Sequence, residues 1–213
     1  MRFGVLGSGA VGQTLASGLK KHGYEVRIGS RSAGKLRDFS AKTGIPESTF
    51  ADVAAWAEGL VLAVPGRVAA DALSQAGRAN LDGKLVIDVT NPIDAVPPED
   101  GVLRVFTGPN ESLMERLQDA FPAARFVKAF NSVGQMFMVN PAFPGGPPTM
   151  FYCGNDPAAK AVVGRILEQF GWDGADMGTA KAARAIEPLC QLWCIPGLRD
   201  NRWQHAFKLL NRL

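Results

Sequence analysis

The chain opens with Met1-Arg2-Phe3-Gly4-Val5-Leu6-Gly7-Ser8-Gly9-Ala10-Val11-Gly12, a short apolar run that ends in the pattern G-x-G-x-x-G. Apolar residues then recur at helical spacing in Val11, Leu15 and Leu19. A second strand is predicted at about Glu25–Ile28. A strand, a glycine-rich turn, a helix and a second strand in this order predict a dinucleotide-binding βαβ unit.

Each glycine of the pattern has a separate expected role. Gly7 allows the tight turn after the strand, Gly9 lets the backbone approach a pyrophosphate, and Gly12 lets the helix pack on the strand. The helix that begins near Ala10 directs free amides and the positive end of its dipole at that charge. The predicted residues of this turn are Gly7, Ser8, Gly9, Ala10 and Val11. The alternative is a glycine-rich turn that binds no ligand. The spacing between this turn and the second strand favours the dinucleotide site over that alternative.

The end of the second strand indicates which dinucleotide binds. An NAD site usually carries Asp or Glu there, whereas this chain reads Gly29-Ser30-Arg31-Ser32 with Lys35 just beyond and no acid before Asp38. A guanidinium attracts a 2′-phosphate, and the Ser30 and Ser32 hydroxyls can donate to it. We therefore expect NADP(H), although a solvated turn would also explain Arg31 and Lys35.

Composition excludes several classes of protein. The chain has 213 residues, of which 46% are hydrophobic and 20% are charged, as expected for one globular domain. The net charge of +3 is small and its basic residues are scattered, so no nucleic-acid partner is expected. Cys153, Cys190 and Cys194 form neither a disulfide framework nor a metal set. No signal peptide or membrane-length apolar run is seen, so no membrane partner and a cytoplasmic location are expected.

The alternation of apolar strands and amphipathic segments predicts an α/β fold, a Rossmann-type doubly wound and mostly parallel sheet. Helices are predicted at about Ala33–Lys42 and along the C-terminal segment, over Lys181–Cys194 and Asn201–Leu210. We expect a single domain over 1–213 with a small helical extension over 179–213. Apolar side chains of this extension favour a homodimer through its helices, and core packing explains them equally well: Trp193, Trp203, Phe207, Leu209 and Leu210.

Ligands of an open parallel sheet bind beyond the carboxyl ends of its strands. Small or amide-bearing residues stand there, in Val64-Pro65-Gly66-Arg67, Thr90-Asn91-Pro92 and Phe130-Asn131-Ser132-Val133. Amide groups can fix a flat ring by paired donors and acceptors. Two loops rich in Pro and Gly, Ile93–Asn110 and Met138–Pro148, are either lids over this edge or linkers across it.

Few acid–base groups are available at these strand ends. His22 and His205 lie elsewhere, and Lys181 and Glu187 are the best remaining proton donors, with solvated or helix-capping roles as the alternative. We therefore assign no catalytic residue. Hydride transfer between two ring cofactors needs mainly stacking and alignment of the rings. The small number of acid–base groups therefore favours hydride transfer between two ring cofactors.

The chain resembles the family of NADP oxidoreductases that depend on the deazaflavin coenzyme F-420, and also the reductase domain of six-transmembrane metalloreductases. The resemblance is carried by the glycine-rich turn and by six further segments: Gly29-Ser30-Arg31, Ala63-Val64-Pro65, Asp88-Val89-Thr90-Asn91-Pro92, Lys128-Ala129-Phe130-Asn131, Cys153-Gly154-Asn155-Asp156 and Ala183–Leu189. It implies that Ser30, Arg31 and Lys35 hold the 2′-phosphate. It also implies that Val64 and Pro65 line the ribose and pyrophosphate path, and that Asn91 and Ala129 border the nicotinamide. Asn131 departs from the His of the archaeal deazaflavin enzymes.

The leading hypothesis is an NADP(H)-dependent oxidoreductase that passes a hydride between the nicotinamide and a small-molecule acceptor. FMN, FAD or coenzyme F-420 would serve as that co-substrate. Reduction of a small imine or carbonyl, and a non-catalytic NADPH-binding sensor, are the alternatives. No metal site is expected, and the remaining predicted cofactor-binding residues are Ser32, Ala63, Pro92 and Asn131.

Overall fold

The computed structural model describes residues 1–32 and 34–211. The strands are β1 (Arg2–Leu6), β2 (Glu25–Ser30), β3 (Glu47–Thr49), β4 (Gly59–Leu62), β5 (Leu85–Asp88), β6 (Arg125–Lys128), β7 (Thr149–Gly154) and β8 (Asp173–Asp176). The helices are α1 (Ala10–Lys21), α2 (Arg37–Thr43), α3 (Phe50–Trp56), α4 (Ala69–Ala76), α5 (Leu113–Ala120), α6 (Pro157–Gln169), α7 (Ala183–Ile186) and α8 (Pro188–Asp200). Alternating strands and helices give the predicted α/β class.

The strands form one sheet in the order β3-β2-β1-β4-β5-β6-β7-β8. All neighbours are parallel except β6 and β7, which pair antiparallel. Val5 at the centre of β1 lies between Ile28 of β2 and Val61 of β4. The order reverses at β1, and this reversal creates the crevice in which such sheets bind ligands. The predicted doubly wound sheet is confirmed.

Both faces of the sheet are covered by helices, which explains why the central strand β4 is apolar throughout. One face packs against α1 and α6 through residues such as Leu15 and Leu167, and the other packs against α3, α4 and α5 through residues such as Val53 and Leu117. The two hydrophobic layers hold the carboxyl ends of the strands in fixed register.

The predicted helix over Asn201–Leu210 is wrong. Asn201 adopts a left-handed backbone (φ 53°) that ends α8, and the chain then runs back as an irregular arm, residues 201–211. The Thr149 N–H donates to the Phe207 carbonyl at 2.8 Å, and the Trp193 indole donates to the His205 carbonyl at 2.9 Å. The arm satisfies backbone groups against β7 and α8 and not within a helix.

Other boundaries shift for local reasons. The predicted helix Lys181–Cys194 is divided into a 3-10 turn, α7 and α8, and α8 begins at Pro188 and continues past Cys194 to Asp200. Strand β6 ends at Lys128, before Phe130, which has a left-handed φ of 61°. The helix predicted from Ala33 begins at Arg37, and Ala33 itself lies outside the described residues. Arg212 and Leu213 of the predicted extension also lie outside them, and the division into one domain plus an extension stays a prediction.

Two observations concern what the described residues lack. None of the helices within 1–32 and 34–211 combines the length and apolar character that crossing a bilayer requires. Over the same residues, no group of three or more His, Cys, Asp or Glu side chains is arranged to hold a metal ion.

Candidate functional site

A continuous cleft lies where the strand order reverses, beyond the carboxyl ends of β1 and β4. It consists of two cavities of 510 and 420 Å³ that share Gly9, Ala63, Val64 and Pro65 as a common wall. After the predicted positions of the two ends of the cofactor, we name them the phosphate-end cavity, which reaches Arg31, and the nicotinamide-end cavity, which reaches Asn91. The predicted turn after β1 thus borders both halves of the cleft.

The glycines of the turn meet different surroundings. Gly7 has a φ of +144°, and a side chain there would overlap the Ala63 carbonyl of the neighbouring strand. A side chain at Gly12 would overlap the Gly7 carbonyl, since α1 starts directly against the turn. At Gly9, by contrast, a Cβ would meet no protein atom within 4 Å. Gly7 and Gly12 are required by the fold, while the space above Gly9 is free for a ligand.

The phosphate-end cavity holds most of the predicted 2′-phosphate residues. Arg31, Ser32 and Lys35 line it, and all three are exposed at its mouth. Ser30 is buried, and its hydroxyl donates to the Ser32 carbonyl at 2.5 Å, so it shapes the loop. Asp71 also lines this cavity, a residue that the sequence analysis did not single out because it lies in the middle of a helical pattern.

The nicotinamide-end cavity is lined by the ends of β4 and β5 and by the loop after β5. Thr90 and Asn91 form one wall of the cavity. The charged residues that line the cavity are Arg67 and Asp94. Asp94 was missed by the sequence analysis because nothing in a long Pro-rich loop indicates which residue turns back toward the strand ends. The Asp94 N–H donates to the Arg104 carbonyl at 2.8 Å, and this backbone hydrogen bond stabilises the turn of the loop.

Three predicted cofactor-binding residues lie behind the cavity wall. Ala129 is fully buried, Asn131 is buried, and Pro92 faces a separate small cavity of 170 Å³. The Asn131 amide donates to Asn91 Oδ1 and to the Ile186 carbonyl, both at 3.0 Å, and Asn91 Nδ2 donates to the Asn131 carbonyl at 2.8 Å. Direct contact of Asn131 with a cofactor stays a prediction, and its visible role is support of Asn91.

A buried ionic cluster lies below the same wall. The Lys128 ammonium contacts Asp88 Oδ2 at 2.7 Å, Glu187 Oε1 at 2.9 Å and the Thr90 carbonyl at 2.8 Å. Burial by itself would lower the pKa of Lys128, but the Asp88 and Glu187 carboxylates outweigh it and raise that pKa above its ordinary value. Lys128 therefore stays charged, although it is completely buried.

Glu187 acts as a helix cap. Its two carboxylate oxygens accept the backbone N–H groups of Leu113 and Met114, at 2.8 and 2.9 Å, at the start of α5. This arrangement agrees with the capping role named as the alternative to proton donation. Lys181, the other candidate, is exposed and does not line the cleft. The buried Cys153 is not a nucleophile, because burial raises the pKa of its thiol to about 12.

The two long loops take different positions. Residues of Met138–Pro148 pack against the connection between α6 and β8: the Trp172 indole donates to the Met138 carbonyl at 2.9 Å, and the Asn140 N–H donates to the Phe170 carbonyl at 2.8 Å. This loop is a linker across the sheet edge. The loop Ile93–Asn110 contributes Ile93 and Asp94 to the nicotinamide-end cavity and is held against α8 by the Gln191 bond to the Leu103 carbonyl.

The cleft can be compared with those of known proteins. A family model described as NADP oxidoreductase coenzyme F420-dependent matches residues 2–92, the N-terminal part that contains the glycine-rich turn. A solved structure from Arthrobacter sp. FB24, described as a candidate F420-dependent NADP-reductase, is 34% identical, with a TM-score of 0.91 over 99% of this chain and 100% of that one. The chain belongs to this family of NADP oxidoreductases. Membership of this family confirms the prediction that the chain is an NADP-dependent oxidoreductase.

More distant relatives share only part of their length with this chain. Metalloreductase STEAP3 of Rattus norvegicus is 28% identical over 205 residues, which is 92% of this chain but 38% of the relative. The chain thus spans less than two fifths of the length of that curated relative. A reductive aminase from Aspergillus terreus, 19% identical with a TM-score of 0.65, shows the same fold.

Proposed function

We propose that this protein is an NADP(H)-dependent reductase that transfers a hydride between the nicotinamide and a flavin- or deazaflavin-type acceptor. The single observation that carries the proposal is the cleft over Gly9, which is open at the turn and ends at Arg31 on one side and at Asn91 on the other. Its residue types, with cations at one end and an amide at the other, fit a dinucleotide with an extra phosphate. Membership of an NADP oxidoreductase family supports the same reading.

Different residues would bind different parts of the cofactor. Arg31 and Lys35 would neutralise the 2′-phosphate, and the amides at the start of α1 would receive the pyrophosphate. Val64 and Pro65 exclude water along the ribose path, and Asn91 offers its amide at the nicotinamide end. The bound nicotinamide supplies a hydride equivalent, that is a proton with two electrons. The protein contributes alignment of two flat rings.

A second candidate function is reduction of a small imine or carbonyl. Asp94 favours it, since this carboxyl lines the nicotinamide-end cavity and could donate the proton that such a substrate needs. The Asp94 carboxylate also accepts the Ala95 N–H at 2.6 Å and lies 3.8 Å from Arg104. Glu187 is a poorer donor because it is buried, contacts Lys128 and does not line this cavity. The proton donor of the imine alternative would therefore be Asp94 and not Glu187 or Lys181.

NADPH oxidation by the purified protein tests both functions. FMN, FAD, riboflavin and coenzyme F-420 are offered separately, followed by cyclic imines and small ketones, with wild type and Asp94→Asn side by side. Flavin or deazaflavin turnover that survives Asp94→Asn supports the first function. Imine or ketone turnover that Asp94→Asn abolishes supports the second. Tight NADPH binding without turnover on any acceptor would replace both with the sensor role.

A further inference from the structure

Two short chains of polar contacts run from the junction of α7 and α8 to adjacent residues of the nicotinamide-end wall. In the first, Glu187 contacts Lys128 at 2.9 Å, and Lys128 donates to the Thr90 carbonyl at 2.8 Å. In the second, Asn131 donates to the Ile186 carbonyl and to Asn91, both at 3.0 Å. Neighbours at one end, Ile186 and Glu187, are thus connected to neighbours at the other.

The first chain holds Thr90 from several sides. The Lys128 ammonium donates to the Thr90 carbonyl and forms ion pairs with Asp88 and Glu187. The other oxygen of Asp88 accepts the Thr90 N–H at 2.9 Å and its hydroxyl at 2.7 Å. All four residues are buried, so water cannot easily replace these contacts.

The second chain fixes the side chain that faces the cavity. Asn91 and Asn131 are linked in both directions: the Asn131 side-chain amide donates to Asn91 Oδ1, and Asn91 Nδ2 donates to the backbone carbonyl of Asn131 at 2.8 Å. Asn131 is buried, and Phe130 before it has the strained left-handed φ of 61°. Strain of this kind persists where the surroundings over-determine the backbone, as they do here.

The far ends of both chains are themselves anchored. Glu187 caps α5 through the Leu113 and Met114 N–H groups, and Arg184 of α7 forms a bidentate pair with Glu115 of α5. The phosphate-end cavity takes its lining from the turn after β1, the β2–α2 loop, Phe50 of α3, the shared residues after β4, and Val68 with α4, and contains neither Thr90 nor Asn91. The two chains therefore act on one half of the cleft.

We propose that Lys128 and Asn131 are positioning residues that hold the Thr90–Asn91 wall for the nicotinamide half of NADPH, with Ile186 and Glu187 as their anchor. This inference rests on the proposed NADPH function. It predicts that loss of either chain weakens binding of the nicotinamide half and leaves binding of the adenosine half unchanged. A general loss of structure would weaken both.

Calorimetric titration with two probes tests it, namely NADPH and adenosine 2′,5′-bisphosphate, which lacks the nicotinamide half. The first variant is Asn131→Ala. The second is Lys128→Met combined with Glu187→Gln, which leaves Asp88 with its two bonds from Thr90. Matched controls are Asn80→Ala, whose side chain bonds the Ala76 carbonyl, and Lys160→Met, which pairs with Asp176 at the far edge of the sheet. Thermal unfolding of each variant monitors folding.

The expected result is a loss of about tenfold in NADPH affinity for each test variant, with unchanged affinity for the bisphosphate and no effect in the controls. Equal loss for both probes, or no loss for either, overturns the positioning role. Asn131→Ser replaces Asn131→Ala if the latter fails to fold, and the same two outcomes apply. Wild-type protein that binds neither probe removes the proposed function itself, which is a different result from failure of the positioning role.

Discussion

At the scale of single residues, Gly7 and Gly9 belong to one turn but meet different physical requirements. We expect Gly7→Ala to lower the free energy of unfolding by more than about 2 kcal/mol, because of its φ of +144° and its contact with the Ala63 carbonyl. Gly9→Ala should change that free energy by less than about 1 kcal/mol while weakening NADPH binding at least about tenfold. Chemical denaturation and NADPH titration measure the two effects, and a destabilised Gly9→Ala would contradict the assignment of open space to a ligand.

Arg31 carries the prediction of phosphate selectivity. Because it is exposed at the mouth of the cavity, Arg31→Ala should leave folding intact. Loss of a charge-assisted contact of about 2 kcal/mol should weaken NADPH binding about thirtyfold and leave NADH binding unchanged. Fluorescence titration with both nucleotides checks this, with Arg165→Ala, on the exposed side of α6, as the matched control. Equal affinity of the wild type for NADPH and NADH would refute the selectivity.

At the scale of elements, α7 is tied to α5 by the Arg184–Glu115 pair. The bond from Arg184 lowers the pKa of Glu115 below its usual 4.5, so the pair adds stability above that pH and loses it as pH falls through the lowered pKa. Because the pair is partly exposed, Glu115→Gln should cost about 0.5–1 kcal/mol at pH 7. The difference from wild type should shrink below about pH 4 in urea denaturation. A constant difference at all pH values would exclude the ionic contribution, and Glu168→Gln, exposed on α6, serves as control.

At the scale of the whole molecule, ligand binding should be visible as stability. NADPH at a hundred times its Kd should raise the free energy of unfolding by about 2.7 kcal/mol, and the melting temperature by about 5–10 °C. NADH at the same concentration should have a smaller effect because it lacks the 2′-phosphate. Differential scanning calorimetry measures both, and equal shifts for the two nucleotides would argue against the phosphate-end site.

The predicted homodimer also belongs to this scale. Trp193 is buried within the chain, whereas Leu192, Leu198 and Leu210 remain exposed at the C-terminal end. If these leucines form the interface, sedimentation should give a dimer that Leu192→Lys converts to a monomer. Val96→Lys, an exposed apolar residue of another loop, is the control. A monomeric wild type would exclude the dimer.

The sequence by itself determined the features that depend on neighbours along the chain. The G-x-G-x-x-G turn at Gly7–Gly12, the apolar runs of β1, β4 and β5, and the cation at Arg31 are local signals of steric freedom, burial and charge. From them follow the doubly wound sheet and the cleft at its point of reversal. Each signal can be read within a few residues, and for this reason the fold was predictable from the sequence, as was the grouping of Arg31, Ser32 and Lys35 around one cavity.

Only the tertiary structure decided the nicotinamide end. Lys128, Asp88 and Glu187 come from three separate segments, and a lysine inside an apolar strand gives no sign of its partners until the strands and α8 are packed. Asp94 reaches the cavity because its loop turns back, and residues 201–211 form an arm and not a helix because their backbone bonds lie on β7 and α8. The ionic contacts and hydrogen bonds at this end join groups that are distant in the chain. These interactions become strong only when folding removes the groups from water, so the sequence alone gives no sign of them.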